Sequence, residues 1–320
     1  MAAKISPISY IINPHRRRSK QNPTCATSLS LSQPCATTFP KKCWFARLPV
    51  KSLLRFLSVS KPWRSLISSP NFIATHLTHC TANNNPLFLL LRHCSLNPNQ
   101  EHFSLRFDDN TFNPYTPFNS QYFFRVVGTC NGLLCLSDDW FGDKHRVILW
   151  NPLIQRYVTL PAPNFTVRAF GPYQSFPGLG VDSLTNDYKV VRVVYPHKLD
   201  MLHCQISPPK VEVYSLRTRS WKPITASVPS CNMVEFFWRQ VFVNGAAHWI
   251  GYNRRQGEGK THNVILCFGM GNEAFGKMGL PEAVVSMFPL FLGLHAVHNT
   301  ISVDFYDKMA TCTRFSSWVM

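Results

Sequence analysis

Few side chains in this 320-residue sequence stand at spacings that could do chemistry. His76, His79 and Cys80 fall close together, and imidazole and thiolate are metal ligands. A metal site there would need further ligands at matching spacing, and none follows, so the plainer reading is structural histidines. His295 and His298 read the same way, as strand or turn residues. Asp138 and Asp139 form a carboxylate pair after a strand. Neighbours along a strand point to opposite faces, so the two would not readily share a proton, and a solvated loop is expected. Cys130 and Cys135 stand five apart with no second pair at ligand spacing, and no Cys-x-x-Cys occurs. An odd count of eleven cysteines in a long chain points to reduced thiols, hence a cytoplasmic or nuclear setting, most of them small buried hydrophobes. There is no Gly-x-Ser-x-Gly elbow, no phosphate-binding Gly-x-x-x-x-Gly-Lys-Ser/Thr loop and no Gly-x-Gly-x-x-Gly. The expectation is a non-catalytic binding protein with no cofactor and no metal.

The elements that would position a binding surface come in two kinds. Between residues 47 and 77 the apolar residues fall at helical spacing. Val50, Leu53, Leu54 and Leu57 make one stripe after Pro49, which suits a helix start. Ser60 is placed to cap a second helix with Pro62 in its first turn, presenting Trp63, Leu66 and Ile67. Ser69 and Pro70 repeat the signal for a third, with Phe72, Ile73 and Leu77. Helices this short enclose little core, so their large apolar residues must pack on the rest of the chain or on another protein.

From Val126 onward the pattern changes to repeated hairpins. Three segments place aromatics seven residues apart across a turn: Trp150 and Tyr157, Tyr214 and Trp221, Phe268 and Phe275. A second hairpin type, interleaved with these, puts an asparagine at its turn, at Asn131, Asn186, Asn244 and Asn299. Asn-Gly, as at Asn131-Gly132 and Asn244-Gly245, is a strong hairpin signal. Two hairpins per unit of roughly 55 residues make a four-stranded module, the size of a propeller blade. An irregular two-sheet sandwich is the competing reading. The strings PLFLLLRH and EHFSLRF add a hairpin before the repeats. Trp150, Tyr157, Tyr214, Trp221, Trp249 and Phe268 could form a stacking platform for bases or sugars, but their repetition favours packing between blades. Partner recognition falls more naturally on loops, with candidates at 137–146, 163–177, 196–209 and 252–262.

Both halves resemble a known family. RLPVKSLLRF, VSKPWRSLISSPNF and HL closely resemble the second half of a plant F-box. GTCNGLLCLSDD, ILWNP, GLGVDSLTNDYKVVRV, VEVYSLRTRSWK, VFVNGAAHW and LPE resemble the plant F-box-associated domain in its kelch-like form. The resemblance spans most of residues 47–290. It implies a mainly β chain with a short N-terminal α-helical segment: F-box-like helices, then a partial kelch-like β-propeller. It also implies a Skp-type adaptor, a cullin reached through it, and a target protein. By resemblance Leu48, Pro49, Val50, Leu53, Leu54, Val59, Trp63 and Leu66 face the adaptor or support the face that does. F-boxes open with Leu-Pro, an acidic residue and an amphipathic helix; here residues 39–46 read FPKKCWFA, shorter and basic. After Phe291 the match fades. A truncated F-box opening and a propeller-like domain incomplete at its C-terminal end are therefore expected. The expected organisation is a disordered basic tail over 1–38, F-box-like helices over 39–80, a linker and first hairpin over 81–125, and the propeller-like domain over 126–320.

Charge bears on the alternatives. The net charge is +17, yet no Asp or Glu precedes Glu101, and the remaining 220 residues hold 20 basic and 16 acidic groups. A basic front on a nearly balanced body argues against nucleic acid along a whole face. An acid-free, Ser- and Arg-containing start also fits an organelle transit peptide. No apolar run approaches the roughly eighteen residues of a membrane helix, so no membrane role is expected. Two functions compete with the ligase subunit: a stand-alone interaction module without adaptor binding, and nucleic-acid binding through the basic N-terminal region.

Overall fold

Hairpins dominate because the sequence supplies their turns. In the computed structural model Asn131 and Gly132 both take positive φ, as do Asn244 and Gly245, which is the backbone a two-residue hairpin loop needs. Asn186 takes the same conformation in the turn just before Asp187. The structure describes residues 8–11, 45–82, 88–96, 99–107, 111, 113–120, 125–138, 146–152, 154–196, 208–233, 240–254, 261–286, 292–297, 300–305 and 316–319. The turn expected at Asn299 lies outside them.

The chain divides into two units, residues 13–87 and residues 1–12 with 88–320. The first holds three helices, α1 (Val50–Phe56), α2 (Lys61–Ile67) and α3 (Pro70–Ala82). Ser60 caps α2, its hydroxyl accepting from Trp63 N–H. Ser69 does the same before α3, accepting from Phe72 N–H at 3.3 Å. Each serine thereby satisfies one of the orphan donors of its helix. Among the described residues no helix is long and apolar enough to cross a membrane.

The second unit is a series of antiparallel sheets. Blade 1 contains β1 (Ile8–Ile11), β2 (Phe88–Leu96), β3 (Asn99–Phe107) and β4 (Pro114–Ser120). Blade 2 contains β5 (Arg125–Cys130), β6 (Leu133–Ser137), β7 (Val147–Asn151) and β8 (Arg156–Thr159). Blade 3 contains β9 (Tyr173–Asp182), β10 (Asp187–Pro196), β11 (Lys210–Ser215) and β12 (Ser220–Ile224). In blade 4, β13 (Asn232–Met233) and β14 (Val241–Val243) both pair with β15 (Ala246–Arg254), followed by β16 (Thr261–Gly269) and β17 (Ala274–Gly279). Blade 5 joins β18 (Leu292–Val297), β19 (Thr300–Phe305) and β20 (Ser316–Val319). Short helices α4 (Val167–Phe170) and α5 (Glu282–Val285) lie in connections.

Two boundaries differ from the sequence reading. Ile8–Ile11, inside the stretch expected to be a disordered tail, form β1 and pair with β2; the rest of that tail lies outside the described residues. The stretch expected as linker and first hairpin is a blade in its own right, because 114–120 adds β4 to the hairpin. β4 carries two prolines, which hid it from a strand reading, and at a sheet edge prolines are tolerated.

The aromatic pairs seven residues apart are cross-strand neighbours. Trp150 pairs with Tyr157, Tyr214 with Trp221 and Phe268 with Phe275. Ring centroids stand 5.3 Å apart in the second pair and 4.8 Å in the third. Their inner members serve packing, as expected. Tyr214 is buried with Val127, Cys130 and Leu149 of blade 2, and Phe268 with Trp249, Val191 and Val213 across blades 3 and 4. Tyr157 is the exception, lying exposed on the edge strand β8.

Strands β5 and β9 meet at Gln240, the residue that leads into β14. Its backbone N–H donates to Val127 O, and its side-chain Oε1 accepts from Leu179 N–H, both at 2.9 Å. The β5–β6 register shifts between Val126 and Gly128, a bulge that leaves Val127 O free for this bond. Gly128 supplies the space, since a Cβ there would stand 2.4 Å from Gln240 Oε1.

Candidate functional site

The helical unit is built on an aromatic cluster. Phe45, Phe56 and Trp63 meet edge to face, with centroids 5.7, 5.2 and 5.2 Å apart. Leu53, Ile67 and Phe72 close the core, and Leu48, Leu57 and Leu66 pack against it. His76 stacks on Phe72 and places Nδ1 2.9 Å from Ala46 O. A carbonyl only accepts, so the Nδ1 proton is the donor, and the ring ties α3 to the turn before α1. His76 is a structural residue of the helical unit; the side chain of Cys80 lies outside the described residues.

The eight residues singled out by resemblance divide in two. Leu53 is buried, and Leu48, Trp63 and Leu66 are partly buried against the same core; these four support the face. Pro49 is exposed and Val50 half-buried, while Leu54 and Val59 are 40% and 60% exposed. The structure adds Ile73, 45% exposed on α3. Its neighbour Phe72 is the buried residue of that helix start, and the one-residue offset is the signal that puts Ile73 outside. Arg47, Lys51, Arg55, Lys61 and Arg64 are all exposed on this unit. Leu54, Val59 and Ile73 are thus large apolar groups left exposed on the described helices, the chemistry of a docking surface.

The second candidate lies on the propeller. Tight turns close β5–β6, β9–β10, β7–β8 and β11–β12 at one end of blades 2 and 3. At that end Asn131 Nδ2 donates to Tyr188 Oη at 3.3 Å. All four stretches expected as recognition loops contain a connection at the other end, which follows from the antiparallel strand order, although 173–177 belong to β9, 252–254 to β15 and 261–262 to β16. Residues 139–145, 197–207 and 255–260 of these loops lie outside the described residues.

One of the loops is fixed by a buried ion pair. Arg192 and Glu212 face each other across β10 and β11, 1% and 0% exposed, with Nη1 2.5 Å from Oε1. Their other bonds reach the segment before β9. Glu212 Oε2 accepts from Asn164 N–H at 2.9 Å and from Asn164 Nδ2 at 3.3 Å. Arg192 Nη1 donates to Phe165 O at 2.9 Å, and Nη2 to Tyr173 Oη, which itself donates to Phe165 O. Trp221 Nε1 holds the same segment through Pro161 O at 2.9 Å. Sequence reasoning passed over this pair. The available signal was a lone arginine inside the apolar run VVRVV and a lone glutamate inside VEVY, where a strand buried on both faces leaves a charge nowhere to go.

Asp138 corrects an expectation. It is buried rather than in a solvated loop, because Arg146 reaches it from across the β6–β7 connection, Nε to Oδ2 at 2.7 Å. The Arg146 backbone N–H also bonds Asp138 Oδ1. Asp139 lies outside the described residues. Among the described residues no group of three or more potential metal ligands stands together.

Asp182 locks the β9–β10 turn and joins it to blade 4. Its carboxylate accepts from Leu184 N–H and Thr185 Oγ1, and Lys189 Nζ sits 3.1 Å away. Lys189 continues to Met270 O at 2.8 Å and Glu273 Oε1 at 3.0 Å. Burial alone would raise the Asp182 pKa, but the bonds from Thr185, Lys189 and Leu184 and the Lys189 charge outweigh it and bring it down to about 2. A depressed carboxylate stabilises the fold above its unfolded pKa and loses that contribution as pH falls through the folded value. The stability difference between wild type and Asp182→Asn should therefore shrink as pH drops from about 4 to about 2. The change expected in thermal melts is about 1 kcal/mol, allowing for screening by water at the turn. A difference that stays constant over that range would refute the assignment.

An antiparallel bladed unit and a three-helix unit with exposed apolar side chains define a class by fold: a short helical unit joined in one chain to a propeller-like β unit. Comparison with known proteins gives the family. Residues 87–288 match the F-box associated beta propeller domain, and residues 45–75 match the F-box domain. The chain belongs to the family of F-box proteins that carry this associated propeller domain. It is 31% identical over 255 residues to the F-box protein CPR1 of Arabidopsis thaliana, covering 76% of this chain and 59% of that protein. It is 28% identical over 246 residues to an F-box/kelch-repeat protein of the same plant, covering 70% and 64%. The chain thus spans about 60% of the length of these relatives. Among solved structures, the beta-propeller domain of the Trilobed protease from Pyrococcus furiosus aligns at a TM-score of 0.33 and 7% identity, over 72% of this chain and 77% of that one.

Proposed function

We propose that this chain is the substrate-recognition subunit of an SCF-type ubiquitin ligase. The exposed Pro49, Leu54, Val59 and Ile73, with the half-buried Val50, bind a Skp-type adaptor and through it a cullin. The propeller holds the protein to be ubiquitinated. The mechanism is proximity: tethering a target lysine near a charged conjugating enzyme raises its effective concentration, which asks for no catalytic residue in this chain. Cys130, Cys231 and Cys267 carry free thiols, in keeping with a cytoplasmic or nuclear site of action.

The observation that carries the reading is the set of large apolar residues, Leu54, Val59 and Ile73, left exposed on the described helices. The test is binding of the purified full chain to a plant Skp-type adaptor by calorimetry. Leu54→Asp with Val59→Asp changes only exposed side chains, so the fold is retained, whereas a change at Leu53 would strike the core. The double variant should lose about 2–4 kcal/mol of binding, roughly thirtyfold to a thousandfold in affinity. No adaptor binding by the folded wild-type chain would leave a stand-alone interaction module instead.

A further inference from the structure

We propose that residues 156–170, the β8 edge and the segment leading through α4, dock an extended acidic segment of the target protein, which adds to blade 2 as a further strand. The proposal rests on the target-binding role given to the propeller above and supplies it with a place and a chemistry.

Three independent features meet there. The first is a strand edge with which no described strand pairs. Leu160 N–H donates to Val147 O, so by the alternation of an antiparallel ladder Val158 bonds inward to β7. Tyr157 and Thr159 then direct their N–H and C=O groups away from the sheet. All four residues of β8 are exposed, and none is proline or glycine. The corresponding edge strand β12 carries Pro223, and β17 carries Gly276 and Gly279. An unpaired edge of this kind accepts a peptide strand through main-chain bonds, with side chains on alternate faces supplying selectivity.

The second is exposed apolar surface. Among the described residues of the propeller unit the exposed large apolar side chains are Tyr157, Val158, Val167, Phe170 and Leu184, and four of the five fall within this segment. The segment is also held in place from beneath. Arg192 and Glu212 spend their remaining bonds on Asn164 and Phe165, and Phe165 packs edge-on against Phe170 at 5.0 Å. A loop fixed before binding loses less entropy on binding.

The third is charge. Every carboxylate described in blades 2 and 3 is buried and engaged: Asp138 with Arg146, Asp182 with Lys189, Asp187 with Ser215, Glu212 with Arg192. The exposed charges described on these blades, Arg156, Arg168, Lys210, Arg217, Arg219 and Lys222, are all cationic. Arg156 and Arg168 lie in the segment itself. An acidic strand is the complement of this surface, and like-charged partners are repelled.

The test pans a random-peptide display library against the purified full chain, then measures affinities of the enriched peptides. Enriched sequences should be net acidic with apolar residues at alternate positions. Arg156→Glu with Arg168→Glu should weaken them at least about tenfold. Thr159→Pro should do the same, because it removes an outward N–H while leaving the β7 ladder intact. Lys277→Glu, exposed on β17, should change nothing. Enrichment of neutral or basic peptides, or binding indifferent to Thr159→Pro, overturns the proposal. So does displacement of the peptide by single-stranded RNA or duplex DNA at the same residues. Adaptor binding on the same preparation separates the two readings. Adaptor bound with no acidic peptide enriched overturns this proposal alone; acidic peptide bound without adaptor supports the docking strand and removes the ligase role.

Discussion

Replacing Arg192 by methionine should destabilise the propeller by about 3–5 kcal/mol, the cost of leaving a buried charge without its partner. Glu212 would then keep only its bonds to Asn164, in a position with no access to water. Replacing both charges, Arg192→Met with Glu212→Leu, should recover most of that loss, since a packed apolar pair of similar volume needs no desolvation. The double replacement should not restore the segment before β9, because Asn164 N–H then loses Glu212 and Phe165 O keeps only the Tyr173 hydroxyl. Denaturant melts read the first effect. Hydrogen exchange at residues 161–170 reads the second, and the two should separate: stability regained, protection not. Equal recovery of both would mean that the ion pair serves the core alone. Loss of the segment's order in the double variant would in turn weaken peptide binding at β8 without altering Arg156 or Arg168.

Trp249→Ala should cost about 3–5 kcal/mol, the range for truncating a buried large aromatic. The indole lies in the core shared by blades 3 and 4 and donates Nε1–H to Pro177 O at 3.2 Å. Its ring also rests directly over Gly178, where a Cβ would stand 2.3 Å from Trp249 Cζ2. A rigid, buried ring cannot move aside as a flexible side chain would, so Gly178→Ala should itself cost about 1–3 kcal/mol. The two changes should couple: in the Trp249→Ala background Gly178→Ala should be nearly neutral, because the atom it collides with is gone. Strict additivity in that cycle would refute the collision with the ring as the reason for the glycine.

Much of the fold was legible because local chemistry and global structure agree. The serine caps at Ser60 and Ser69 start the helices that the apolar spacing predicts. The seven-residue aromatic spacing turns out to be cross-strand pairing, and Asn-Gly marks the hairpins. Where reading failed, the residues had a long-range partner or an uncommon local choice. Asp138 read as solvated because Arg146 comes from across a loop. β4 was missed because prolines weigh against strands until the strand is known to lie at an edge. For the helical face the sequence identified the group of residues but could not divide it. Leu53 and Leu54 are neighbours of the same type, and only the packing of Phe45, Phe56 and Trp63 decides which of them is covered.

The sequence by itself therefore determined what periodicity and turn chemistry encode: three short helices, repeated hairpins and their family. The tertiary structure alone decided which charges are buried and which apolar groups stay in water. Burial is set by atoms brought together from distant positions, as with Arg192 and Glu212 reaching Asn164 and Phe165. A one-dimensional pattern carries the alternation of a strand but not the element that covers each of its faces.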